Sequence, residues 1–380
     1  MEKKQIWIGI LVVVLVGTAI GLLFAQGSLT GLSVQEKNEV LIGFIGPLSG
    51  DASIVGEVEK NAAEIAVEEI NQKGGIKGKK IRMIYEDGKC NGKDASIAAN
   101  KLITIDKLKI LFVVCSAENL AVAPLAEKNK VIQFAAWASH PDITDAGEYV
   151  FRNAQSDSQT AELAAKTIYL NYKNIGEIYE LTDYSQGLHR EFNKNIELLG
   201  GTVISEGFLQ GSNDMKTEIT KILRSSPEAI FVNPNTPVTG LILLKQVREL
   251  GFKGQIYGNF FGSAPQVVES EMAQGMIFFS EPTVEENEIK KKLFEKYKSK
   301  YGSEPAFSYP VAARYDTVYI IAEAIAFCNS DKKTECIKDY IYAIEEFKGA
   351  LGTYSFDEHG DVVGVIPSTI LIQNGKMVVQ

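Results

Sequence analysis

A chain of 380 residues is longer than a single hydrophobic core usually supports, so its length predicts two lobes. Its 45% hydrophobic and 23% charged content is typical of a folded globular protein. The formal net charge of −9, without a cluster of basic and aromatic residues, argues against a nucleic-acid partner.

The N-terminus is apolar and differs from the rest of the chain. Residues 6–25 carry no charge, and this run is long enough to cross a hydrocarbon layer of ~30 Å. It is also longer than the ~7–15 residues of an ordinary signal-peptide core, and Lys3 and Lys4 favour a cytoplasmic N-terminus. The pattern predicts a signal anchor over residues 1–25, or a cleaved signal peptide, followed by a flexible linker over residues 26–39. Either alternative places the remaining chain outside the cytoplasm.

From residue 40 onward, short apolar runs alternate with helical patterns, which predicts parallel sheets covered by helices on both faces. The predicted strands are 40–45, 81–87, 110–114, 131–134, 176–181, 202–208, 229–232, 255–258 and 276–279, with extended strands again after residue 352. The predicted helices are 61–72, 93–106, 158–170, 186–199, 215–225 and 239–250, followed by three that begin near residues 286, 308 and 337.

The four cysteines agree with an exported chain. Cys90 and Cys115 follow two predicted strands, and a bond between them would tie neighbouring strand ends together at a gain of roughly 3–4 kcal/mol. Cys328 and Cys336 flank a short loop between two helical patterns, which a second bond would pin. The alternative is four free buried thiols.

Ser116 stands where a predicted strand gives way to a helix. Free backbone N–H groups at a helix N-terminus can hold an anion, and ligands of open α/β sheets lie beyond the carboxyl ends of the strands. Ser116 is therefore a candidate ligand contact, although its hydroxyl could also cap the helix.

Several segments resemble the branched-chain amino-acid (Leu/Ile/Val-type) solute-binding proteins of ABC transporters, and the resemblance covers about residues 40–378. Its opening signature is Gly-Pro-Leu-Ser-Gly at 46–50 with the stretch 61–78. The segment 183–187 (Asp-Tyr-Ser-Gln-Gly) resembles a turn of the family, and 356–361 (Phe-Asp-Glu-His-Gly-Asp) resembles its closing segment. The spacing of Cys90 and Cys115 matches a disulfide of bacterial members.

The resemblance implies the type I periplasmic-binding-protein fold, an α/β fold of two Rossmann-like lobes joined by three hinge crossings. The crossings fall near Asp157, Pro282 and Gly364. Lobe 1 would comprise residues 40–156 and 284–363, and lobe 2 would comprise residues 157–283 and 364–380. A ligand would be clamped between them by hinge closure.

Carried over residue by residue, the resemblance also implies ligand contacts. Ser116 matches the serine that holds the ligand carboxylate, while the Ala138 carbonyl and the Ser139 hydroxyl match groups that bind the ammonium and the carboxylate. Tyr184 matches an aromatic residue that approaches from the second lobe. Phe260 stands where the family has the acid that neutralises the ammonium, and it offers apolar area or a cation–π face instead.

Two further residues near the predicted site have open interpretations. Trp137 either lines the cleft or packs between strands. Glu118 either complements the dipole of the helix that is predicted to begin at Ala117 or replaces the missing acid by meeting a cationic ligand group.

No motif indicates a metal site, a nucleotide site or a catalytic set. His140, His189 and His359 are scattered, and the chain has neither metal-ligand spacing nor a phosphate-binding glycine loop. A cofactor is therefore not expected. We expect a membrane-tethered extracellular solute-binding protein that delivers a small amino-acid-like ligand to ABC permease subunits. The alternatives are a ligand-sensing receptor ectodomain and a binding protein for an amide or a small carboxylate.

Overall fold

The computed structural model describes residues 39–280 and 287–380. The predicted N-terminal segment, residues 1–25, and the predicted crossing near Pro282 lie outside these ranges. Within the two described ranges, no helix has both the length and the apolar character needed to cross a membrane.

Strands and helices alternate along most of the described chain. The strands are β1 (Glu39–Gly46), β2 (Lys80–Asp87), β3 (Ile110–Val113), β4 (Ile132–Ala135), β5 (Val150–Arg152), β6 (Asn174–Glu180), β7 (Thr202–Phe208), β8 (Ala229–Asn233), β9 (Gln255–Gly258), β10 (Ile277–Ser280), β11 (Phe347–Gly349), β12 (Gly352–Phe356), β13 (Val362–Val363), β14 (Ser368–Gln373) and β15 (Lys376–Val379).

The longer helices lie between these strands, and a group of three separates the second half of the chain from its C-terminal strands. The helices are α1 (Ser53–Gln72), α2 (Gly92–Asn100), α3 (Ser116–Asn129), α4 (Asp157–Asn171), α5 (Asp183–Leu198), α6 (Lys216–Leu223), α7 (Pro237–Glu249), α8 (Pro265–Val268), α9 (Glu288–Tyr301), α10 (Ser308–Cys328) and α11 (Thr334–Tyr342).

Within the described ranges, the strands form two large sheets and a small one of β11, β12 and β13. The first large sheet has the order β2-β1-β3-β4-β5, and β1, β3, β4 and β5 run parallel. The second has the order β15-β14-β10-β9-β8-β6-β7, in which β6 to β10 run parallel and β14 and β15 are antiparallel additions. The alternating pattern of the sequence thus folds into two mainly parallel sheets.

Helices cover both faces of each large sheet, which explains why their central strands are apolar throughout. Phe112 of β3 pairs in register with Phe44 and Phe134 on one face, in the same core cluster as residues of α1 and α10. The neighbouring side chains, such as Leu111 and Val113, point to the opposite face and lie in the cluster formed with α2 and α3.

The helix predicted over residues 61–72 begins earlier than expected, at Ser53. Glycine is unfavourable inside a helix, yet Gly56 lies in the first turns of α1. A Cβ at this position would stand 2.1 Å from the Pro47 carbonyl oxygen. The glycine therefore permits a close helix–loop contact instead of ending the helix, a packing reason that the sequence pattern does not reveal.

A buried ion pair joins α10 to α1 beneath the carboxyl ends of the first sheet. The Arg314 guanidinium donates to Glu59 Oε2 through Nε (2.8 Å) and Nη2 (2.6 Å), and neither side chain is exposed. The same guanidinium donates to the carbonyls of Val113 (3.3 Å) and Phe134 (3.2 Å) in β3 and β4. Arg314 thus holds the two strand ends that lead into the candidate site.

Replacing Arg314 with Met should lower the free energy of unfolding by about 3–5 kcal/mol, because Glu59 would stay buried without its counter-charge. Urea unfolding followed by circular dichroism measures the loss. The double variant Glu59→Leu, Arg314→Met removes both charges and should recover most of the stability. A single variant as stable as the wild type would show that the pair does not support the fold.

Candidate functional site

A cavity lies where the carboxyl ends of the two sheets face each other. The cavity and its open mouth together measure about 710 Å³. Its walls come from segments that follow all five strands of the first sheet, from segments that follow β6, β8 and β9 of the second, and from the end of β10. Six of the residues selected from the sequence line it: Ser116, Trp137, Ala138, Ser139, Tyr184 and Phe260.

Ser116 forms one corner of the cavity. β3 ends at Val113, and α3 begins at Ser116 itself, so the first free N–H groups of a 14-residue helix lie at this corner. The His140 backbone N–H donates to Ser116 Oγ over 3.4 Å. This contact holds the serine beside the segment after β4 that carries Ala138 and Ser139.

The expected disulfide bonds are confirmed. Cys90 and Cys115, both in the cavity wall, are bonded with their Cα atoms 5.3 Å apart, and Cys328 is bonded to Cys336 across 5.9 Å. The first bond joins the segment after β2 to the start of α3, which braces the corner that carries Ser116.

Glu118 is the selected residue that the structure places outside the cavity wall. Its side chain is 0% exposed, and its carboxylate accepts the N–H groups of Cys115 (2.9 Å) and Cys90 (3.0 Å). The hypothesis that Glu118 meets a cationic ligand group is therefore not supported, because its oxygens support the disulfide from behind. Burial raises the pKa of this carboxyl to about 7, although the two backbone donors act in the opposite direction.

Aromatic rings join the two sides of the cavity. The Trp137 ring lies 5.3 Å from the Phe260 ring and 4.7 Å from that of Phe307, and Tyr184 lies 5.3 Å from Phe260. Of the two interpretations of Trp137, the structure supports a place in the cavity wall. Phe260 is the central ring, so apolar surface occupies the position where the resemblance implied an acid.

The polar residues of the wall that were not selected as ligand contacts from the sequence include Gln155, Asp157 and Thr160. They belong to the segment after β5 and the first turn of α4, and each is at most 4% exposed. No strand was predicted before them from the sequence, because β5 has only three residues, and Asp157 was assigned only to a hinge crossing. Asp183, at the start of α5, also lines the cavity and is exposed.

The histidines lie elsewhere. His189 Nδ1 is 2.6 Å from Glu177 and its ring stacks on Tyr179, while His359 is partly exposed beside Asp145. Burial lowers the pKa of His140, which contributes its backbone to the Ser116 corner. Across the described residues, no group of three or more His, Cys, Asp or Glu side chains could hold a metal ion.

Two mainly parallel sheets with a cavity between their strand ends define a two-lobed ligand-binding protein. Residues 39–365 match the family model described as "Periplasmic binding protein". The chain belongs to this family, and its fold is the α/β type I periplasmic-binding-protein fold, which confirms the resemblance drawn from the motifs.

Relatives with known names agree. The leucine-, isoleucine-, valine-, threonine- and alanine-binding protein of Pseudomonas aeruginosa is 25% identical over 90% of this chain and 92% of its own. Among solved structures, the leucine binding protein LivK of Thermotoga maritima has a TM-score of 0.82 and 28% identity, covering 90% of this chain and 97% of its own. LivJ of Streptococcus pneumoniae, a branched-chain amino acid transporter substrate binding protein in complex with isoleucine, has a TM-score of 0.75 and 27% identity, covering 90% and 100%.

Loss of the two disulfides should have different consequences. Cys90→Ser with Cys115→Ser opens a separation of 25 residues and should cost about 3–4 kcal/mol, whereas Cys328→Ser with Cys336→Ser opens one of 8 and should cost about 2–3 kcal/mol. Amide hydrogen exchange at the start of α3 should increase only in the first double variant. Equal exchange in both variants would show that the first bond does not brace the Ser116 corner.

Glu118 should make stability depend on pH. Its folded pKa of about 7 lies above the ordinary 4.5, so its protonated form favours the fold below pH 4.5, and that contribution is lost as the pH rises through 7. Relative to Glu118→Gln, which cannot ionise, the wild type should lose about 3 kcal/mol across this window. Urea unfolding of both proteins at several pH values measures the difference, and parallel pH curves would contradict it.

Proposed function

We propose that this protein is the extracytoplasmic solute-binding component of an ABC importer and that it carries a small amino-acid-like ligand in the cleft between its lobes. The observation that carries this proposal is the cavity itself. It is walled by strand ends of both sheets, with a helix N-terminus on one side and aromatic rings across the middle.

The carboxylate of the ligand would bind at the Ser116 corner. The first N–H groups of α3 and the hydroxyls of Ser116 and Ser139 are donors that suit an anion, and the positive end of the helix dipole adds to their effect. Both serines are almost fully buried, at 5% and 7% exposed, so a carboxylate there would be largely withdrawn from water.

The apolar part of the ligand would pack against Trp137, Tyr184 and Phe260. These rings come from opposite sides of the cavity and contact each other, so a ligand side chain packed against them would touch both sheets at once. Contact with these rings removes ligand surface from water, which is favourable for apolar surface, so the rings favour an aliphatic or aromatic ligand side chain over a polar one.

We also propose the lobe boundaries predicted from the sequence, 40–156 with 284–363 and 157–283 with 364–380, and hinge closure about their crossings. Support comes from contacts between the predicted lobes: Arg190 donates to Asp142 at 2.6 Å, and a Cβ on Gly187 would stand 2.4 Å from the His140 ring. Such close contact suits a clamp that shuts on its ligand.

For residues 1–25 we propose a membrane anchor that keeps the binding lobes near ABC permease subunits, or a signal peptide if the segment is cleaved. Its apolar length and the two disulfides, which persist in oxidising compartments, support this place outside the cytoplasm. A role in binding rather than catalysis is supported by the cavity cysteines, because a disulfide offers no thiolate nucleophile.

Thermal unfolding of the full-length chain in mild detergent tests the proposal with L-leucine, L-isoleucine, L-valine, other amino acids, amides and short carboxylates. A ligand present at ~100 times its Kd should stabilise the fold by about 2.7 kcal/mol and raise the unfolding midpoint. Ser116→Ala should reduce that shift, whereas Ser96→Ala, a serine exposed on α2, should not. If no amino acid raises the midpoint, the proposed ligand class is wrong.

A further inference from the structure

Part of the cavity wall is a segment of irregular backbone, residues 138–140, which lies in neither a helix nor a strand. Ala138 and Ser139 on this segment are proposed ligand contacts, and both are buried. Such backbone has no strand ladder to hold it, so other donors and acceptors must fix its place. One of them is the Asp157 N–H, which donates to the Ser139 carbonyl at 2.7 Å.

Arg152, the last residue of β5, supplies the other support for this segment. Its side chain is fully buried and does not line the cavity. Nη1 donates to the His140 carbonyl at 2.8 Å, and Nη2 donates to Thr144 Oγ1 at 2.6 Å. Hydrogen bonds from an ionised donor are roughly twice as strong as neutral ones. One guanidinium therefore holds the backbone directly after Ser139 at two points.

Asp361 fixes the orientation of that guanidinium. Arg152 Nε donates to Asp361 Oδ1 and Nη2 donates to Oδ2, each at 2.6 Å. Thr144 Oγ1 also donates to Asp361 Oδ2, at 2.8 Å, and the Asp361 N–H donates to Asp357 Oδ1 at 3.0 Å. A bidentate pair of this kind sets the plane of the guanidinium as well as its position. The support of the ligand segment thus depends on a residue far away in the sequence.

The same pair joins two of the proposed hinge crossings. Arg152 and Asp361 lie side by side in a parallel bridge, and the Arg152 N–H donates to the Gly360 carbonyl at 3.0 Å. Shortly after these two residues the chain reaches the proposed crossings near Asp157 and Gly364. The ion pair therefore lies where both crossings leave the first lobe, directly beside the ligand segment.

We propose that Arg152, held by Asp361, is a positioning residue that couples the ligand segment 138–140 to the hinge. When the lobes rotate about their crossings, the ion pair keeps the ends of two crossings fixed relative to this segment. Closure then brings Tyr184 and Phe260 against a wall of constant geometry. Arg152 acts through the segment and not by touching the ligand. This inference rests on the proposed function and on the proposed lobe boundaries.

Calorimetric titration of the full-length chain with L-leucine tests the inference. Arg152→Met should weaken binding roughly 10- to 100-fold, because the segment loses its charged donors. Arg248→Met is the matched control: Arg248 is half-buried and donates to the carbonyls of Phe252 and Gly254, away from the cavity. It should lower the unfolding midpoint but change binding less than about threefold. Arg152→Lys keeps the charge without the planar fork, so it should recover the midpoint more fully than the affinity.

Thr144→Val removes one hydroxyl and no charge, so it tests the coupling even if Arg152→Met fails to fold. It should weaken L-leucine binding roughly 3- to 10-fold, because the hydroxyl links Arg152 and Asp361 to the segment. Thr220→Val is its control, since the Thr220 hydroxyl donates to the Lys216 carbonyl on the exposed face of α6. That variant should bind L-leucine as the wild type does.

Amide hydrogen exchange without ligand gives a measurement that does not depend on the ligand class. Exchange over residues 140–144 should be at least about tenfold faster in Arg152→Met and Thr144→Val than in the two control variants. Wild-type affinity in both Arg152→Met and Thr144→Val would overturn the inference and leave the proposed function intact. If the wild type bound no amino acid, the proposed ligand class would fall, and unchanged exchange over 140–144 would overturn the positioning role as well.

Discussion

The buried ion pair of Arg314 and Glu59 is the constraint on which the geometry of the site depends. Burial alone raises the pKa of Glu59 and lowers that of Arg314, and their mutual attraction counteracts both shifts. The guanidinium also donates to carbonyls of β3 and β4, immediately before the segments that carry Ser116 and Trp137. One charged group from α10 thus anchors two strand ends, and a shift there would displace the proposed ligand contacts of Ser116 and Trp137 together.

Different parts of the cavity wall carry different polar groups, because the starts of two different helices lie in it. A helix N-terminus supplies donors at the Ser116 corner, and polar side chains around Asp157, at the start of a different helix, line another part of the wall. Aromatic rings fill the space between these two parts and lower its polarity, which strengthens electrostatic interactions inside it. A small set of strand ends can therefore distinguish the two ends of one small molecule.

Residues behind the cavity wall also help to fix its shape. Glu118 accepts two backbone N–H groups that lie on either side of the Cys90–Cys115 bond. Gly88 makes room for that carboxylate, since a Cβ there would stand 2.2 Å from Glu118 Oε1. The disulfide, the carboxylate and the glycine form one unit that fixes the start of α3, so a residue that does not line the cavity still helps to determine its shape.

The sequence by itself determined the alternation of strands and helices, the cysteine pairs, the family motifs and the strand-end position of Ser116, because these follow from local patterns and short spacings. Only the tertiary structure decided which N–H groups the Glu118 carboxylate accepts and that Asp157 is buried. It alone also decided that Arg314 pairs with Glu59, which is 255 positions away in the sequence. Two aspartates at the starts of helices look alike in the sequence. Burial separates them, and burial arises when distant segments pack together, which no local pattern specifies.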